Sequence, residues 1–217
     1  MTKHILFDCD GVLIDTEIVA AEVVTRWLNQ QGVVIDTETF IHQFTGKTFS
    51  DILALLVDSG KLAPQLEIKK AVAAMDTEIR ANMRPISGVE EMLASVPLQA
   101  SMVSNSATDY VLEAIEMLGA EAVFGQRVFS AELVAKGKPD PAVYLLALQK
   151  LGLKPSEVVV VEDSVAGVSA SVAAGLRTIG FLGGSHVRHG HGAKLKALGA
   201  EQLVSNHEEL QKLLQQV

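Results

Sequence analysis

Asp8 and Asp10 stand two residues apart behind a short apolar run, Ile5, Leu6 and Phe7. Such a run reads as a buried strand. At a period of two, both carboxylates would leave its end on the same side. Two carboxylates that close repel, so one takes a proton or a cation sits between them. Glu162 and Asp163 repeat the pattern directly behind four valines at 158–161. Open parallel sheets bind ligands outside the carboxyl ends of their strands, so both acidic pairs are expected at one sheet edge. Oxygen ligands of this kind suit a hard cation, Mg2+ in particular. Each pair could instead cap the helix after it, with Asp163 or Ser164 placed to do so. Two pairs at two strand ends favour the metal.

Two further features point to the same edge. Ser104 and Asn105 follow an apolar strand at 99–103, where small hydrogen-bonding groups and backbone N–H could bind an oxyanion. Lys138 precedes Pro139-Asp140-Pro141 and a helix. A lysine there opposes the helix dipole, but it could neutralise a phosphate and the carboxylates.

The elements that must position these residues alternate. Strands are expected at 5–7, 99–103, 128–129, 158–161 and 177–181. Helices are expected at 89–96, 110–118, 141–151 and 165–174, several ending at a glycine. This rhythm predicts an α/β fold, a doubly wound parallel sheet with helices on both faces. Between residues 17 and 83 only helical patterns occur, at 17–31, 39–44, 49–59 and 64–83. The expected organisation is a Rossmann-like core of residues 1–15 and 85–217, with an all-helical insertion at 16–84.

Composition excludes several classes. Apolar residues make up 48% of the 217, too many for a disordered chain. Cys9 is the only cysteine, so no disulfide scaffold exists and a reducing, cytoplasmic setting is expected. Carboxylates outnumber Lys and Arg by 26 to 18, a net charge of −8 that disfavours nucleic acid as a partner. No apolar run reaches 18 residues, so no membrane span is expected. Asp8 and Asp10 interrupt the first apolar run, which therefore does not read as a signal peptide. An anionic substrate would need a local cationic site, which Lys138 and a metal could supply.

Together these residues resemble the haloacid dehalogenase superfamily of phosphohydrolases. FDCDGVLIDTE (7–17) is similar to its first motif, D-x-D-G-x-hydrophobic-x-D-[ST]. VSNS (103–106), GKPDP (137–141) and VVVVEDSVAG (158–167) are similar to the second, third and fourth. Each motif alone is weak; four in order are specific. The resemblance implies that 16–84 is the small helical cap of subfamily I, of the β-phosphoglucomutase and sugar-phosphatase kind. It further implies that Asp8 is the nucleophile and Asp10 the acid and base. Mg2+ would be held by Asp8, the Asp10 carbonyl oxygen and Asp163, with Glu162 direct or through water. Ser104, the Asn105 backbone and Lys138 would hold the phosphoryl oxygens. Thr16, Gly46 and Lys47 would contact substrate, a small phosphorylated metabolite, in a monomer or homodimer.

Within the superfamily, dehalogenases lack the second aspartate, so Asp10 favours phosphate chemistry. The mutases carry a histidine early in the first cap helix; Ala20 stands at that position here, and no histidine lies between residues 5 and 41. Hydrolysis is therefore expected ahead of isomerisation. A phosphonatase would need a cap lysine as Schiff base, for which Lys47 is the one early candidate. A phospho-accepting switch like a response-regulator receiver would place its aspartate mid-chain and carry no insertion. Cys9 is expected to be buried filler. His186, His189 and His191 in GGSHVRHGHG read as a flexible polar loop at the rim of the site, since a transition-metal centre lacks a partner cysteine.

Overall fold

The computed structural model describes residues 2–44, 49–63 and 67–216. The chain runs β1 (His4–Phe7), α1 (Thr16–Gln30), α2 (Thr37–Phe44), α3 (Phe49–Asp58), α4 (Ile68–Ala81), α5 (Val89–Ala94) and β2 (Gln99–Ser104). It continues through α6 (Thr108–Met117), α7 (Glu121–Phe124), β3 (Val128–Ser130), α8 (Ala142–Leu151), β4 (Val158–Glu162), α9 (Val165–Ala173) and β5 (Arg177–Phe181). It closes with α10 (His191–Ala197), β6 (Gln202–Val204) and α11 (His207–Leu214).

The chain divides into two compact units, Met1–Asp15 with Pro85–Val217, and Thr16–Arg84. In the first, six strands form one parallel sheet in the order β3-β2-β1-β4-β5-β6. The chain winds outward from β1 to β3, then returns to β4 and winds the other way. The reversal lies between β1 and β4, where Phe7 is in register with Val161. The Asp8 N–H extends that pairing to the Val161 carbonyl at 3.0 Å. Asp8 and Glu162 therefore sit at the switch point, where such sheets bind ligands.

The valines of β4 are buried on both faces, as a central parallel strand requires. On one face Leu6, Val158 and Val160 pack with Tyr144 and Ala147 of α8 and Ala170 of α9. On the other, Phe7 meets Phe124 of α7 edge-on at 6.0 Å. Fully burying a side chain of this size contributes about 1.5–3 kcal/mol. Ile14 and Pro85, the residues flanking the helical unit in sequence, form an antiparallel bridge. His207 at the start of α11 braces the same segments, with Nε2 2.9 Å from the Val12 carbonyl and Nδ1 3.0 Å from that of Ser87.

The helical unit has its own core. Val19, Val23, Val24 and Leu28 of α1 pack with Phe40, Ile52, Leu53, Met75 and Ile79. Helix α2 begins two residues ahead of expectation, because Asp36 accepts the Thr39 N–H at 2.8 Å and its hydroxyl at 2.7 Å. Helix α4 ends at Ala81, where the Asn82 amide turns back onto the Glu78 carbonyl at 2.8 Å. Among the described residues no helix is long and apolar enough to cross a membrane.

The buried His4 imidazole, 2.8 Å from the Ser101 hydroxyl, supplies a test. Burial, helped by the Arg127 charge, pushes its pKa down to about 4. The fold thus favours the neutral ring, and that advantage is lost as pH falls from 6.5 towards 4. Chemical denaturation at pH 7 and pH 4 should show wild type losing up to roughly 3 kcal/mol more than His4→Gln. Equal losses would remove His4 as an acid-sensitive element.

Candidate active site

Lys138 is the centre of the site. Its side chain is 3% exposed, and its ammonium donates three hydrogen bonds, one for each N–H. The acceptors are Asp8 Oδ1 at 2.7 Å, Glu162 Oε1 at 2.6 Å and the Val103 carbonyl at 2.7 Å. The Tyr144 ring lies 5.2 Å from the same nitrogen. Burial opposes the charge on Lys138, but Asp8 and Glu162 outweigh it and hold the ammonium well above the usual lysine range.

Two contacts from neighbouring elements place this lysine. The Asn105 side chain, just past β2, accepts the Lys138 N–H at 2.8 Å and donates to its carbonyl at 3.0 Å. Gly137 admits that clamp, since a Cβ there would stand 2.6 Å from Asn105 Oδ1. Ser104, buried at the end of β2, accepts the Ser106 N–H at 3.0 Å and so shapes the turn beside it.

Glu162 ends β4 without solvent exposure. Its Oε1 accepts from Lys138 and from the Tyr144 hydroxyl at 3.1 Å. Its Oε2 accepts from Ser164 N–H at 3.1 Å and Ser164 Oγ at 3.0 Å. Both oxygens are thus engaged by protein donors. Ser164 also caps α9, accepting the Gly167 N–H at 2.9 Å. The cap is therefore the serine, which leaves the Asp163 carboxylate for other work.

Asp8, Glu162 and Asp163 each offer an oxygen within 4.8 Å of the others, and all three are buried. Three carboxylates face one ammonium, an excess of two negative charges when all are ionised. Burial pushes the Asp8 carboxyl well up, Glu162 adds to this, and Lys138 only partly offsets it. Burial raises Asp163 as well, against a lowering contact from His186. Asp163 Oδ1 is buried with no hydrogen-bond partner among the described residues. An excess of two charges with an oxygen lacking a donor fits a divalent cation ligated by oxygen.

The Asp10 carboxylate is not one of these three. Strand β1 ends at Phe7, so the period-two argument does not reach Asp10. The Asp10 carboxylate accepts from Ser106 Oγ at 2.7 Å and the Tyr110 hydroxyl at 3.1 Å. Gly11 turns the chain there with φ +77°, and a Cβ on it would fall 2.0 Å from Asp163 Oδ2. Cys9 is fully buried, and burial pushes its thiol well above the usual range, so it is no nucleophile. Thr16 opens α1 and is buried. Gly46 and Lys47 lie outside the described residues.

Four participants escaped the sequence reading. Ser106 lies inside the VSNS segment and could have been found there. Tyr110, Tyr144 and the His186 contact with Asp163 gave no local signal. The histidine loop is not free: Ser185 Oγ donates to Asp15 at 2.7 Å and His191 Nε2 to the Asp163 carbonyl at 2.5 Å.

This fold and site define a hydrolase of the haloacid dehalogenase-like family, to which the chain belongs; the family's sequence profile matches residues 5–181. A phosphorylated carbohydrates phosphatase from Thermotoga maritima is 33% identical over 182 residues, covering 82% of this chain and 83% of that protein. A family hydrolase from Deinococcus radiodurans, solved with phosphate and sodium, superposes with a TM-score of 0.86 at 29% identity, covering 99% and 96% of the two chains. A Thermotoga maritima structure provisionally assigned as a β-phosphoglucomutase gives 0.84 at 27% identity over the full length of both.

Gly167 tests the packing beneath the site. A Cβ there would fall 1.7 Å from Glu162 Oε1. Alanine improves helix propensity by about 1 kcal/mol, but displacing a buried carboxylate from its lysine costs about 3–5 kcal/mol. Gly167→Ala should therefore lower unfolding free energy by roughly 2–4 kcal/mol in urea. A neutral or stabilising result would show that Glu162 can move freely.

Proposed function

We propose that the chain is a Mg2+-dependent phosphatase that hydrolyses a small phosphomonoester, a sugar phosphate or related metabolite, through an aspartyl-phosphate on Asp8. The observation that carries this is Asp8 itself, a buried carboxylate on the Lys138 ammonium with Asp163 and Glu162 beside it. The relative named for phosphorylated carbohydrates and the neighbour solved with phosphate support the substrate class.

Asp8 attacks phosphorus, and the ester oxygen leaves with a proton from Asp10. Water then attacks the aspartyl-phosphate, with Asp10 taking its proton. Ser106 and Tyr110 hold the Asp10 carboxylate for both transfers. Ser104 and the Asn105 backbone hold the phosphoryl oxygens as charge shifts onto them, and Lys138 joins them once the N–H it gives Asp8 turns to the substrate. Asp8, the Asp10 carbonyl and Asp163 would hold Mg2+, with Glu162 fixing Lys138 and reaching the metal at most through water. When bound, the cation keeps Asp8 ionised and screens it from the anionic substrate. By the family resemblance the helical unit 16–84 is the cap, and Thr16, Gly46 and Lys47 are its proposed substrate contacts. We place the enzyme in the cytoplasm, as a monomer or homodimer.

The β-phosphoglucomutase alternative draws support from the 0.84 superposition. Ala20 speaks against it, because it supplies no proton-transferring side chain where the mutases carry histidine. Phosphate release should be measured over a panel of metabolite phosphates, with Mg2+ and with chelator. Expected are many turnovers per chain, loss of activity in chelator and its return with Mg2+. Isomerised sugar phosphate without free phosphate would establish the mutase, and a single turnover the switch.

Asp8→Asn should lower kcat by about 10⁴-fold or more, because an amide oxygen is a poor nucleophile. Asp10→Asn should lower it by about 10²–10⁴-fold. Near-normal rates in either variant would remove that residue from its role.

A further inference from the structure

We propose that His186 is a positioning residue that aims Asp163 at the divalent cation, an inference resting on Asp163 being a ligand of that cation. Its Nε2 donates to Asp163 Oδ2 at 3.0 Å, across a contact 5% exposed on the aspartate side. The other carboxylate oxygen, Oδ1, has no hydrogen-bond partner among the described residues. One oxygen is thus tethered and its twin presented. A buried acceptor left without a donor is destabilising, and a cation at Oδ1 would remove that cost.

The imidazole is itself held in place. A Cβ on Gly11 would fall 2.8 Å from its Cε1, and one on Gly184 2.7 Å from the same atom, so both glycines leave room for the ring. Ser185 anchors the loop on Asp15, through Oγ to Oδ1 at 2.7 Å and N–H to Oδ2 at 3.3 Å. His191, at the start of α10, donates to the Asp163 carbonyl and meets the His186 ring edge-on at 6.0 Å. Two histidines of GGSHVRHGHG therefore grip one aspartate, by its carboxylate and by its backbone.

His186 acts through Asp163 rather than as a ligand. Among the described residues, the one group with ligand atoms mutually within 4.8 Å is Asp8, Glu162 and Asp163. Partners that orient a ligand in this way typically change metal affinity by about 10–100-fold.

Isothermal titration of Mg2+ into the purified protein, without substrate, tests the proposal. Wild type should bind with a measurable Kd. His186→Leu should raise that Kd by about 10–100-fold, and His186→Gln, which keeps a donor near the Nε2 position, should recover most of the loss. Ser185→Ala, which loosens the loop but keeps the imidazole, should stay within about threefold of wild type. Should the leucine variant fail to fold by circular dichroism, His186→Asn, whose shorter amide stops short of Asp163, replaces it. An unchanged Kd without the imidazole overturns the proposal, as does a Ser185→Ala loss equal to that of His186→Leu. A wild type that takes up no Mg2+ overturns the metal assignment instead, and that signature is distinct from both.

Discussion

The Lys138 ammonium between Asp8 and Glu162 is the interaction on which the rest of the site depends. A buried lysine with one carboxylate would be a costly arrangement, because desolvating both charges competes with their attraction. Here three acceptors take all three N–H groups, and two of them are anions. The cost of breaking the set is therefore much larger than the net gain of making it. Each neighbouring element has one task, which is to deliver an acceptor or to keep the lysine backbone still. Strand β1 delivers Asp8, β4 delivers Glu162, and β2 delivers the Val103 carbonyl. The turn after β2 supplies the Asn105 clamp.

Close approach among these elements depends on residues without side chains. Gly167 lets α9 lie against Glu162, Gly137 lets Asn105 reach the Lys138 backbone, and Gly11 brings the turn after β1 against Asp163. None of these contacts contributes much energy by itself. Each instead removes an obstacle to a strong one, which is why a single methyl group at Gly167 weighs as much as a missing charge.

How much of this was legible in the sequence depends on range. Parallel strands announce themselves through apolar runs such as 158–161, and the residues after them inherit a known address. Asp8, Glu162 and Asp163 were found that way, as was the alternation behind the six-stranded sheet. Strand β6 was not, because Gln202, Leu203 and Val204 are too few for a pattern and one of them is exposed. The periodicity that would give Asp10 the direction of Asp8 stops with the strand at Phe7. Tyr144 is 18 residues from Glu162 in sequence and reaches it only because α8 packs on the sheet. The histidine loop looked mobile because glycine and polar residues fill it. Its anchors, Asp15 and Asp163, lie in other segments, and local composition carries no trace of them.

Charge joins these observations into one constraint. The chain carries −8 overall, and its site concentrates an uncompensated pair of negative charges in a buried place. Without a cation, the cheapest relief is a proton on Asp8, whose carboxyl burial already pushes upward. A protonated Asp8 is no nucleophile, so on the proposed chemistry the metal and the reactive carboxylate are linked by charge balance as well as by position. With a divalent cation bound the cluster is neutral. A phosphate ester entering there meets Lys138 and backbone donors in place of net repulsion. A net charge of −8 is then no bar to an anionic substrate, because the attraction is confined to the few ångströms where phosphorus must be attacked.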